Sequence, residues 1–358
     1  MIQYYYKFKR GICALDENST KKAPYAALCA VACVLILLIP TALHSASLSI
    51  LKIIVIPLFA CVFSVILGSD SPSYAFIAAI FGVASTVMSY FLTGGDPLFL
   101  SAVADVLFAF VLGIALRILC KKKAQKSVTF AVSSFISAIY TFAVICIAVY
   151  AAAGSFSLSA IGESVDKIAE NFSGAYYEIL SGAAQQTPYA AEIDSAIQYV
   201  AESIEYSIKL YFPSLIAYYA MALGGITVLL YRPLLRITHL EEKCLSERSW
   251  RFRLSGVSVA MFYLSYVAYL IVMFFFNNTV LTGALLNLTQ IITVPFMVRG
   301  IVFLYEKLSE KLKGKAAPVV IIAASSLGAA LLLGADAVMI ILACAGAYSE
   351  SRRALGKN

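Results

Sequence analysis

Residues 93–117 read TGGDPLFLSAVADVLFAFVLGIALR. A glycine-rich acidic turn leads into an apolar run of about 20 residues, the length a helix needs to cross the hydrocarbon core of a bilayer. Arg117 closes the run, and Lys121, Lys122, Lys123 and Lys126 follow it. A polar turn, an apolar span and a basic end together describe one pass of a membrane helix. One residue is out of place: Asp105, eight positions past Pro97 and so roughly 12 Å down the helix. A carboxylate at that depth is costly unless it faces the interior of a bundle and is protonated or hydrogen-bonded. Asp96 lies nine positions from Asp105 and points to the opposite face, so the two are not a carboxylate pair.

The rest of the chain repeats this pattern. Of 358 residues, 61% are hydrophobic and only 13% charged, more apolar surface than a soluble domain can hide. Further apolar runs lie near 24–43, 48–67, 74–92, 128–153, 210–231, 255–276 and 284–305. The last, 317–348, is too long for one ordinary span, and Gly334-Ala335-Asp336 offers a turn within it. Two short spans, 317–333 and 335–348, bring the total to ten. The expected fold is therefore all-α, a polytopic helical membrane protein of about ten (8–10) transmembrane helices. It divides into a five-helix half (1–153), an outer segment (154–209) and a second half (210–358) with a basic loop at 232–253.

Charge sets the orientation, because lysine and arginine concentrate in cytoplasmic loops. With the N-terminus inside, ten spans place 23 of the 27 basic residues on one side and make both termini cytoplasmic. Lys52, Lys167, Lys209 and Arg299 are left over; Lys52 and Arg299 lie within spans, near enough to a membrane surface to snorkel. The net charge of +7 thus reflects topology and contact with the lipid bilayer, not nucleic-acid binding. The first apolar segment follows some 23 polar residues without a convincing cleavage site, so it reads as a retained anchor.

Within the outer segment, residues 154–207 carry eight acids against the single Lys167. Ile161, Val165, Ile168, Phe172, Tyr176 and Ile179 recur at helical spacing, as do Ile193, Ile197, Val200, Ile204 and Ile208. Gly182 and Thr187-Pro188 supply a stop and a start, so the segment reads as an amphipathic helical hairpin. Two readings of it are open: a pair resting on the bundle or in the headgroups, and a lid over a pocket that opens outward. In the inner loop, Leu234, Leu235, Ile237, Leu240 and Cys244 form an apolar face beside Trp250, the one tryptophan. An in-plane helix and a docking surface are both open there.

The chain holds no P-loop, no GxSxG and no HExxH. Catalytic carboxylate pairs are not evident within the spans, and neither soluble segment is large enough for an enzyme domain, so the reading is not an enzyme. Two distant histidines and eight scattered cysteines without a CxxC pair give no metal site, cofactor site or disulfide framework. Candidate site residues are the polar groups within spans: Asp105, Asn287, Gln290, Tyr266 and Arg299. Thr289, Thr293 and Pro295 make the eighth span the most polar, and a proline there can free a backbone carbonyl. Helix–helix hydrogen bonding is the structural alternative for each. Together they suggest a polar pocket in the outer half of the bundle, in which Asp105→Asn abolishes ligand binding.

The order of features resembles the YybS-like family of bacterial membrane proteins. The stretches that carry the resemblance are IVIPLFACVFSVILG (54–68), TGGDPLFLSAVADVLFAFVLGIALR (93–117), LYFPSLIAYYAMALGGITVLLYRPLL (210–235) and SWRFRLSG (249–256). LLNLTQIITVPFMVRGIVFLYEKL (285–308) and YSESRRAL (348–355) complete it. Arg253-Leu254-Ser255 departs from that family's pattern after the tryptophan. The resemblance implies a multi-pass protein of the bacterial plasma membrane. Its first part is distantly similar to substrate-binding membrane subunits of energy-coupling-factor transporters, which capture a small molecule and borrow an ATPase module. Ala26 and Ala30 match the small-xxx-small face through which such subunits dock. Three functions follow: a transport-related small-solute binding subunit; a non-transporting envelope or sporulation scaffold or regulator with a membrane-protein partner; and a secondary carrier built from two inverted halves.

Overall fold

The computed structural model describes residues 26–36, 46–68, 72–92, 94–95, 99–184, 190–240, 252–276, 278–312 and 316–356. Asp96, Pro97 and Trp250 fall outside the described residues, as does half of the inner loop, 241–251. Every regular element described is helical: α1 Ala26–Ile36, α2 Ala46–Ile66, α3 Pro72–Leu92, α4 Phe99–Lys121, α5 Lys126–Ala153, α6 Leu158–Ala184, α7 Ala190–Ile237, α8 Gly256–Phe275, α9 Thr279–Lys311, α10 Ala316–Leu333 and α11 Ala335–Ala354. Six of them, α3, α4, α5, α7, α8 and α9, contain segments long and apolar enough to cross a membrane. This is a helical, multi-pass membrane architecture. Cys120 is disulfide-bonded, which the scattered cysteine spacing did not foretell.

The contacts resolve two compact units. The first takes in Met1–Ile161 and Tyr219–Arg251, the second Gly162–Tyr218 and Phe252–Asn358. In the first unit α2 is central. From Ile56 to Ile66 it is buried on nearly every side, save Leu58, as a helix apolar all round must be. Phe59 and Phe63 close on Phe110 of α4, edge to face, with centroids 5.4 and 4.5 Å away. Gly113 of α4 lies so near the Ala60 carbonyl that an added Cβ would be 2.9 Å from it. α5 turns Thr129, Ser133, Ser134, Ser137 and Thr141 inward. These small side chains admit a close neighbour: at Gly224 of α7 a Cβ would collide with Ser134. α5 stops at Gly154, whose φ of 66° is left-handed.

In the second unit α9 is the spine, and its largest contact is with α11. Gly300 and Gly346 make that crossing possible. A Cβ on Gly300 would run into the Leu342 carbonyl, and one on Gly346 into the Phe296 carbonyl. Phe262 and Phe296, with ring centroids 4.6 Å apart, pack with Val259, Ala343 and Ala347 beside it. α8 and α9 begin on side-chain caps: Ser255 accepts from Ser258 N–H and Asn278 from Leu281 N–H. The apolar run at 317–348 is two helices, as its length required. They meet at Gly334, whose φ of 88° suits glycine alone.

Several expectations need correction. The second hairpin helix and the sixth span are one 48-residue helix, α7, with no break at 209/210. It continues through 232–237 into what was expected to be an inner loop. Its end is a left-handed His239 (φ 54°), with Leu240 N–H returning to the Leu235 carbonyl. On α6 the expected apolar stripe packs only in part: Ile161, Val165 and Tyr176 are half-buried and Ile168, Phe172 and Ile179 exposed, while Ala169 and Ser173 are buried. Small residues let α6 approach α7, and polar bonds hold the contact. Tyr177 donates to Asp194, at 2.9 Å to Oδ1, and this bond raises the phenol's pKa. Lys209, left over in the orientation count, joins Asp166 at 3.1 Å and Glu205 at 2.9 Å.

Candidate functional site

Asp105 belongs to the seam of α4 formed by Ala102, Val106, Ala109, Leu112 and Leu116, all buried. The spacing that makes this face apolar carries the carboxylate inward with it, where it is fully buried. Lys52 of α2 places Nζ 2.8 Å from Oδ2. Tyr140 of α5 donates to Oδ1 at 2.5 Å, with its ring stacked on Phe108 at 4.2 Å. Both carboxylate oxygens are therefore occupied. Lys52 does not reach away to the membrane surface; it is the counter-ion. Its sequence position hinted at this. Lys52 lies four residues into its span and Asp105 eight into its own, an offset of about 6 Å in depth, which a lysine side chain bridges.

The other four expected residues lie in the second unit, each with its own partners. Asn287 of α9 is a helix-to-helix clamp. Its Nδ2 donates to the Leu210 carbonyl at 2.9 Å, and its Oδ1 accepts from Ser214 N–H at 3.1 Å. Those two backbone groups are four apart, the pair an unbroken helix would join to each other. Pro213 stands between them in sequence. Asn287 also donates to Gly283 O and accepts from Ser214 Oγ, so its amide is used up.

Tyr266 and Thr293 hydroxyls are 2.9 Å apart, and Thr293 donates onward to the Thr289 carbonyl. Arg299 is tied to α11. Its Nε lies 2.5 Å from Glu350 Oε1, a second nitrogen donates to Ser349, and Glu306 is 3.4 Å from the third. Arg353 pairs with the other oxygen of the buried Glu350 at 2.7 Å, off the hydrogen-bond direction, and donates to the Leu254 carbonyl. Glu350 thus ties α11 to α9, a role that its position in a terminal polar run concealed.

Gln290 differs from the rest. Its Oε1 accepts from Tyr218 at 2.6 Å, and among the described residues its Nε2 makes no hydrogen bond. It lines a cleft of about 210 Å³ in the second unit, with Ser207, Tyr211, Leu215 and Tyr218 of α7 and Asp336 and Met339 of α11. The α7 contributors fall at four- and three-residue steps, one helical face. The Asp336 carboxylate is within electrostatic reach of both phenols. Tyr211, Tyr218 and Asp336 were missed from the sequence. Tyr211 and Tyr218 recur seven apart, but nothing in one helix announces a carboxylate supplied by another some 120 residues later.

No protein-family model, curated protein or solved structure matches the chain. Among the described residues, no group of three or more His, Cys, Asp or Glu could hold a metal ion.

Proposed function

We propose that this protein is a membrane-embedded capture component that binds a small solute in the cleft between α7, α9 and α11. One observation carries the reading: an amide with an unused donor, two tyrosines and an acid converge on one opening. Most other polar groups of the spans are consumed by helix packing, so this set stands apart. Ten spans with both termini cytoplasmic would turn Ser207 and Gly334 outward, and the cleft would then be loaded from outside the plasma membrane. Energy would come from a separate ATPase module, since the chain has no nucleotide-binding motif. Ala26 and Ala30 are exposed on α1, which suits docking of such a partner. The YybS-like resemblance, carried by the stretches quoted above, agrees with this reading.

Native mass spectrometry of the purified full chain tests it. A retained small molecule, lost on Tyr218→Leu, is expected. Co-purification of an ATPase module, lost on Ala26→Trp/Ala30→Trp, would identify the energising partner. A second reading, a non-transporting envelope scaffold, is favoured by the exposed Ile168, Phe172 and Ile179 on α6. It predicts a protein partner captured through α6 and no bound solute.

A further inference from the structure

The chemistry of the same cleft selects its ligand, an inference that rests on the solute-binding reading. We infer that the cleft takes a small organic ammonium compound, with its cationic head between Asp336 and the rings of Tyr211 and Tyr218. The lining supplies one carboxylate and no lysine or arginine. An anion would meet an uncompensated carboxylate and find no lysine or arginine to pair with. A metal ion would find a single carboxylate, too few hard oxygen ligands to replace its water shell. An apolar ligand would strip water from Asp336 and return nothing. An ammonium group satisfies all three constraints, because aromatic faces and a carboxylate attract the same diffuse positive charge.

The remaining polar groups set the other end of the molecule. Gln290 Nε2 and the Tyr211 hydroxyl make no hydrogen bond among the described residues. Both can donate, so the ligand should carry an acceptor, a hydroxyl or carbonyl oxygen, a few bonds from its nitrogen. The volume of about 210 Å³ lies below the range of drug-sized pockets and limits the compound to a handful of heavy atoms. Asp336 is exposed in the first turn of α11, at the positive end of the helix dipole.

The test is calorimetric titration of the full-length protein in detergent with choline, tetramethylammonium and 3,3-dimethylbutan-1-ol, the neutral carbon analogue of choline. Choline should bind at least tenfold more tightly than the neutral analogue, and more tightly than tetramethylammonium, which lacks the acceptor. Asp336→Asn should weaken choline at least tenfold without lowering the melting temperature, because asparagine is tolerated at a helix start. Tyr218→Phe, which keeps the ring, should cost less than threefold, whereas Tyr218→Leu should cost tenfold or more. Equal affinity for choline and its neutral analogue would overturn the inference, as would unchanged binding by Asp336→Asn. If native mass spectrometry finds a neutral or anionic molecule whose retention depends on Tyr218, the ammonium assignment fails and solute capture stands. If neither a retained molecule nor choline binding is found, both fail.

Discussion

A carboxylate inside a span raises a choice between structure and chemistry, and at Asp105 the contacts favour structure. Each of its oxygens has a partner, one of them the cation Lys52. Removing one member of a buried pair leaves the other charge uncompensated, at about 3–5 kcal/mol. Asp105→Asn should therefore lower the thermal stability of the purified protein strongly. The triple change Lys52→Met, Asp105→Leu and Tyr140→Phe should restore stability to within about 1 kcal/mol of the parent, since apolar replacement of a whole buried pair is close to neutral. Loss of ligand binding by Asp105→Asn with an unchanged melting temperature would instead return this residue to the site. Asn287 follows the same logic. Asn287→Leu removes the bonds its amide makes to Ser214 and to the Leu210 carbonyl, and should cost about 1–3 kcal/mol in a denaturation or melting assay.

Between helices, the second unit depends on close backbone approach. Gly300 and Gly346 each face the other helix's carbonyls with no room for a Cβ. Gly300→Ala or Gly346→Ala must push α9 and α11 apart, and each should cost more than about 2 kcal/mol through lost packing. Gly328→Ala in α10 is the control. A Cβ there meets nothing, and the substitution should be neutral or gain up to about 1 kcal/mol from helix propensity. Helix existence was legible because hydrophobic runs of span length have few other uses. Helix continuity was harder to read: α7 runs through a boundary drawn where polar composition gives way to apolar. Composition marks where the environment changes, whereas a helix ends only where its backbone is interrupted or capped.

For the molecule as a whole, orientation is the property with the widest consequences. If both termini are cytoplasmic, an impermeant maleimide applied to intact cells should label Gly182→Cys and Ala335→Cys in a cysteine-free background. Lys122→Cys should react only after the membrane is opened. Labelling of Lys122→Cys from outside would invert the topology and turn the cleft inward. By itself the sequence determined that this is an all-helical, multi-pass membrane protein, that 317–348 must turn at Gly334, and that Asp105 faces inward. Each follows from hydrophobic length, glycine geometry or the cost of burying charge, all local quantities. Only the tertiary structure decided that Asp105 pairs with Lys52 and Arg299 with Glu350, that Asn287 bonds to Ser214 and the Leu210 carbonyl, and that Gln290 shares a cleft with Tyr211, Tyr218 and Asp336. Those pairings join residues 46 to more than 120 positions apart. Helical periodicity assigns each side chain a face, but which faces meet depends on how the helices pack.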